Sequence, residues 1–134
     1  MSPETRRYLH QAHDLLDRGQ RMAAAGLPED AGRAGYLVAL HAAQALIFAR
    51  TGRVAKTHRG VRVEFARLSQ AEPSLAPWLI TFLARAYELK SIADYGTGDE
   101  AAVTTATAAS SLAEAKRFLA TIEALLNSPA PDGP

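Results

Sequence analysis

A histidine and an arginine a turn or two apart are enough, in principle, to handle a phosphodiester without a metal. The histidine can move a proton near neutral pH. The guanidinium offsets the charge that builds on a phosphorane-like transition state. Three such pairs occur in this chain: Arg6 and Arg7 precede His13 with six and five residues between, and Arg53 precedes His58 with four. The spacing is easily met by accident. Arg6, Arg7 and His13 fall on a first helix with an exposed-looking side, where solvated charge accounts for them. His58 has more around it. Arg50, Arg53, Lys56, Arg59, Arg62 and Arg67 share an 18-residue stretch with a single acid, Glu64. Such a run suits phosphate oxygens. The plainer alternative is that Thr57 caps a short helix and His58 packs beside it.

A second set of polar residues sits in apolar company. His41 and Gln44 interrupt an apolar helix, with Arg33 on the same stripe. Buried polar groups need partners, and Tyr87, Lys90 and Asp94 recur at three- and four-residue spacing on a later helix. The first reading is a structural network that fixes helix register. The second is a polar cleft for a nucleotide or an RNA phosphate. Tyr95 reads first as an aromatic plug, with base stacking or modification as the alternative.

Other chemistries find little support. His10, His13, Asp14 and Asp17 make a weak metal pattern on an exposed helix, and no metal is expected. No phosphate-cradling glycine loop or dinucleotide fingerprint occurs, and no cofactor is expected. With no cysteine there is no disulfide, thiol nucleophile or thiolate zinc site. A net charge of +1 leaves nucleic-acid affinity to a local patch rather than to the global field.

The elements that must position these residues are helical. Ser2, Pro3 and Glu4 open a first helix, with Leu9, Ala12, Leu16 and Met22 on its apolar side and Gly26 at its end. Leu27–Asp30 begins a second, running to about Arg50. Its stripe Tyr36, Leu40, Ala43 and Ile47 neighbours another of Leu37, His41, Gln44 and Phe48, which makes it the central helix. A loop to Thr57 precedes a short helix with Val61, Phe65 and Leu68 inward. Pro73 and Pro77 bracket a turn. A helix from about Trp78 to Ala93 turns Trp78, Phe82, Leu89 and Ala93 inward. Tyr95–Gly98 is a break, Asp99–Glu100 opens the last helix, and Val103, Leu112, Leu119, Ile122 and Leu126 form its seam to Asn127. No segment alternates with period two. The expected fold is all-α: an up-and-down antiparallel bundle of four main helices plus one short helix over residues 1–127, with residues 128–134 a disordered tail.

Three segments, in order, resemble the HEPN superfamily, in the bacterial and archaeal type often encoded beside a minimal nucleotidyltransferase. Gly26-Leu27-Pro28-Glu29-Asp30, with Arg33-Ala34-Gly35-Tyr36 and His41-Ala42-Ala43, is similar to one family stretch. Lys56-Thr57-His58-Arg59-Gly60-Val61 is similar to a second. Ala86-Tyr87-Glu88-Leu89-Lys90-Ser91-Ile92-Ala93-Asp94-Tyr95-Gly96 is similar to a third, with Lys90 where the family usually has arginine. The resemblance spans roughly residues 5 to 126. It implies a helical bundle that commonly dimerises and serves toxin–antitoxin, defence or RNA-processing modules. Many members are metal-independent ribonucleases, but the late Arg–His pair of those members is missing here.

The expectation is therefore a cytoplasmic HEPN-type component of a nucleotidyltransferase/HEPN toxin–antitoxin-like module, binding RNA or a nucleotide-handling partner. Its alternatives are a weak metal-independent endoribonuclease and a non-enzymatic helical interaction protein. No membrane span is expected, since the stretch Tyr36–Ala49 is too short and too polar. A homodimer is expected from the resemblance and from the small residues Ala102, Ala106, Ala109 and Ala113, which could equally pack within one chain. One surface is expected to gather Lys56, His58, Arg59, Lys90, Asp94 and Tyr95, with His41 on its floor. His58 would be catalytic and the others would bind. Lys90 lacks the planar fork of arginine, so any catalysis there would be weak.

Overall fold

The computed structural model describes residues 1–96 and 103–128, and the described elements are five helices. Helix α1 spans Pro3–Ala24, α2 Pro28–Thr51, α3 His58–Ala71, α4 Pro77–Tyr95 and α5 Thr105–Leu126. Local chemistry sets several of the ends. The Ser2 hydroxyl accepts from the Thr5 amide, Thr57 from the Gly60 amide and Thr104 from the Thr107 amide, each satisfying a donor that the helix start leaves open. Pro28 occupies the first turn of α2, followed there by Glu29 and Asp30. Gly26 and Gly52 close α1 and α2 with φ of 77° and 72°, a conformation that side chains rarely adopt. Asp99 and Glu100, expected to open the last helix, lie outside the described residues, as do residues 129–134 of the expected tail; α5 begins at Thr105, later than expected, because Thr104 caps it, and Val103 precedes the helix.

Helix α2 is central and packs against all four others. Gly19 lies against Ala34, and Tyr8 stacks beside His41, so α1 runs antiparallel to α2. Arg33 reaches Asp94 and Tyr36 meets Tyr87, so α4 is antiparallel as well. Gly35 lies beside Ser111 and Arg50 donates to the Leu125 carbonyl, so α5 runs with α2. The four long helices thus alternate in direction along the chain, as an up-and-down bundle requires.

The short helix is the exception that matters for the site. His58 sits against Tyr36 and Glu72 against Arg50, so α3 runs in the same direction as α2. The segment 52–57 must therefore travel back along α2. At about 1.5 Å of rise per residue this return is roughly 20 Å long, a span six residues cover only when extended. Gln44 fixes the path by donating to the Ala55 carbonyl at 2.8 Å.

The core is aromatic at its middle. Phe118 of α5 packs against Phe65 of α3 at 5.7 Å, Phe82 of α4 at 5.8 Å and the edge of Trp78 at 6.3 Å between ring centroids. Each fully buried ring of this size contributes roughly 1.5–3 kcal/mol. Phe82 is buried as expected, whereas Trp78, Leu89 and Ala93 are half-buried. Arg117 lies over the outer face of Trp78, 4.3 Å from its centroid. Ala106, Ala109 and Ala113 face outward on α5, which removes the alternative that they pack within the chain; Ala102 lies outside the described residues.

Candidate functional site

The return of segment 52–57 delivers the start of α3 to the flank of α2 and the last turns of α4. Tyr36, fully buried on α2, places its hydroxyl 2.6 Å from Nδ1 of His58. The ring of Tyr87, from α4, lies 5.2 Å from His58 and 5.3 Å from Tyr36, so the three rings form a triangle. Arg62, one turn after His58, covers Tyr87 at 5.0 Å. His58 itself is half-buried.

Two turns further along α4 stands an ionic group. Asp94 accepts from Lys90 through Oδ2 and from Arg33 through Oδ1, each at 2.6 Å. Arg33 also binds Asp30 at 2.8 Å and donates to the Ala93 carbonyl at 2.9 Å. Its fork therefore ties the first turn of α2 to the last turn of α4.

These contacts set the charge states. Burial, then the neighbouring Tyr87, pushes the Tyr36 hydroxyl up to about 12, so it keeps its proton. Burial, then the charges of Lys90 and Arg62, pushes His58 below its ordinary value, so the imidazole is neutral at pH 7. Hydrogen bonds from Lys90 and then Arg33 hold the Asp94 carboxyl below the usual range, and the Asp94 bond raises Lys90. The result is a neutral histidine between tyrosine rings with cations on two sides.

Residues 5–127 match the family model of the HEPN domain. This chain belongs to the HEPN family. No curated protein matches it.

The HEPN bundle brings together most of the residues singled out in the sequence. His58, Lys90 and Asp94 lie on one surface, with Lys56 and Arg59 exposed beside His58. Lys56, Arg59 and Arg62 make no ion pair among the described residues. The rest of the basic stretch is neutralised: Arg53 and Arg67 pair with Glu64, and Arg50 pairs with Glu72. Arg53 thus serves Glu64 rather than His58. His13 pairs with Glu123 across α1 and α5, 3.0 Å apart.

Two expectations need correcting in their geometry. Tyr95 is 80% exposed, so it plugs nothing. It is the last residue of α4, one past the Asp94 that Arg33 holds. His41 is held by Gln44 at 2.8 Å and stacks beside Tyr8, in a polar pair that faces α1 and the Ala55 loop. The histidine touching Tyr36 and Tyr87 is His58, and no contact joins His41 to it among the described residues. The stripe containing His41 is the outer one of α2, which explains its half-buried state.

Sequence reasoning missed Tyr36 as a member of the site and placed it only on an apolar stripe. A signal was present: a tyrosine on a buried stripe carries a hydroxyl that must find a partner. Arg62 was one of many basic residues, and only its seat over Tyr87 sets it apart. Among the described residues no group of three histidine or acidic side chains could hold a metal ion. No described helix is long and apolar enough to cross a membrane.

Proposed function

We propose that this HEPN domain binds RNA or a nucleotide phosphate at the surface formed by His58, Arg62, Lys90, Lys56 and Arg59, as one half of a module with a minimal nucleotidyltransferase of toxin–antitoxin type. The observation that carries the reading is convergence. The three segments that resemble the family, far apart in the chain, meet here: Arg33 and Tyr36 from the first, His58 from the second, Tyr87, Lys90 and Asp94 from the third.

The chemistry fits phosphate. Lys56, Arg59 and Arg62 are exposed cations, and phosphate oxygens take such groups without base specificity. Exposed Tyr95 offers a ring face for a base at the edge of the same surface. Asp94 holds Lys90 in place and limits how far the patch can repel itself. Dimerisation through the outward alanines of α5 belongs to the same reading. The test is RNA binding and RNA cleavage by the parent and by His58→Ala and Lys90→Ala. Binding that falls in both variants, with the fold intact, supports the reading; parent-like binding in both rejects it.

A further inference from the structure

The geometry points to Tyr36 as the positioning residue that fixes which nitrogen His58 offers to a ligand: its hydroxyl donates to Nδ1, so the imidazole presents Nε2–H as a neutral hydrogen-bond donor. The role of that donor toward a phosphoryl oxygen rests on the proposed phosphate site. The assignment of the tautomer does not.

Three observations carry it. Tyr36 is fully enclosed, and among the described residues His58 Nδ1, at 2.6 Å, is the one hydrogen-bond partner of its hydroxyl. A buried O–H must spend its proton on an acceptor. If Nδ1 carried hydrogen, it would donate to the tyrosine oxygen and leave the phenolic proton without an acceptor. Next, burial and the nearby cations favour the neutral imidazole. The groups near the ring are Tyr36 from α2, Tyr87 and Lys90 from α4, and Arg62 from α3, and among the described residues no carboxylate bonds to His58. Asp94, the nearby acid, has both oxygens occupied by Lys90 and Arg33. Burial keeps the tyrosine protonated and the histidine neutral, which is the pairing an O–H···N bond needs. Lastly, Nε2 makes no hydrogen bond among the described residues, and it is not one of the enclosed unpartnered atoms, which are Glu72 Oε2 and Ser111 Oγ. It is therefore accessible to a ligand.

The consequence is chemical. A ring held as Nε2–H has no lone pair on its open side, so it cannot take a proton from a ribose hydroxyl there. His58 recognises an oxygen and does not act as a general base.

The experiment is long-range proton–nitrogen NMR of protein labelled at its four histidines, with His58→Gln assigning the signal. The parent at pH 7.5 should show His58 with a protonated Nε2 and an unprotonated Nδ1. Tyr36→Phe removes the donor to Nδ1 and should give a mixture of tautomers. A parent signal with hydrogen on Nδ1 overturns the assignment, and this holds even if Tyr36→Phe fails to fold. An unchanged pattern in a folded Tyr36→Phe overturns it too. Inorganic pyrophosphate is then added. A shift of the His58 Nε2 signal supports the donor role, and His58→Gln, which keeps a donor, should retain more pyrophosphate affinity than His58→Ala. No shift with pyrophosphate removes the phosphate site while leaving the tautomer assignment standing.

Discussion

Arg33 and Asp94 stand 61 residues apart in the chain, yet their charged groups lie 2.6 Å apart. This bond joins the entrance of α2 to the exit of α4 and holds Lys90 beside His58 through the shared carboxylate. It also makes a pH prediction. The Asp94 carboxyl is depressed in the folded protein by its bonds to Lys90 and Arg33. A depressed carboxyl stabilises the fold above its unfolded value, about 3.9, and that contribution is lost as pH falls through the folded value. Asp94→Asn should therefore be less stable than the parent at pH 7, by about 1–2 kcal/mol, and the gap should close below pH 4. Urea unfolding at pH 7 and pH 3 measures both. An equal gap at the two values would mean that the charge is irrelevant.

Arg50 and Glu72 make a second prediction, on stability alone. Both side chains are largely enclosed, at 16% and 5% exposure, and Glu72 Oε2 has no partner among the described residues. Removing the arginine leaves a buried carboxylate without its countercharge. Arg50→Met should cost about 3–5 kcal/mol. Arg50→Met with Glu72→Gln together should cost clearly less than Arg50→Met alone, because the stranded charge is gone. A double variant as unstable as the sum of the two singles would show that the pair is not coupled.

Gly19 tests the α1–α2 contact. A Cβ there would lie 2.7 Å from Leu112 Cδ2 and 3.0 Å from the Cβ of Ala34. The leucine can move its end, but the alanine carbon is fixed to α2. Gly19→Ala gains up to about 1 kcal/mol in helix propensity and loses about 1–3 kcal/mol to overpacking. The expected outcome is a lower Tm. A higher Tm would show that α1 shifts freely, and that the packing of α1 on α2 is loose.

The outward alanines of α5 predict self-association. Ala106, Ala109 and Ala113 are exposed at three- and four-residue spacing and would admit a close helix approach. Sedimentation at micromolar concentration should show a dimer, and Ala109→Arg should shift it to monomer. A parent that sediments as a monomer removes the dimer from the account.

Much of the fold could be read from the chain because local chemistry marked it. Ser2 and Thr57 cap where their side chains can reach an open amide, and the stripe Tyr36, Leu40, Ala43 and Ile47 is buried as its spacing implies. The site was legible in part. His58, Lys90 and Asp94 were expected on one surface because each falls at or near a helix end, and short connections in an up-and-down bundle bring alternate ends together. They meet for a different reason: segment 52–57 runs back along α2, and Gln44 holds it there. The direction of a loop is not written in periodicity, so the partnership of His58 with Tyr36 could not be seen. Tyr95 failed in the other direction. An aromatic ring beside a helix end suggests a plug, but burial depends on what the end faces, and this one faces solvent.

The central claim is that the His58 surface holds phosphate. Fluorescence anisotropy with a short single-stranded RNA, run from 50 to 200 mM salt, tests it most directly. The parent should bind with an affinity that falls steeply with salt. Arg62→Ala and Lys90→Ala should each weaken binding and lower the slope by about one counterion, and His58→Ala should weaken binding with little change in slope, since the neutral ring displaces no counterion. If the folded variants bind as the parent does at every salt concentration, or the parent does not bind, the surface is structural and the proposed function is wrong.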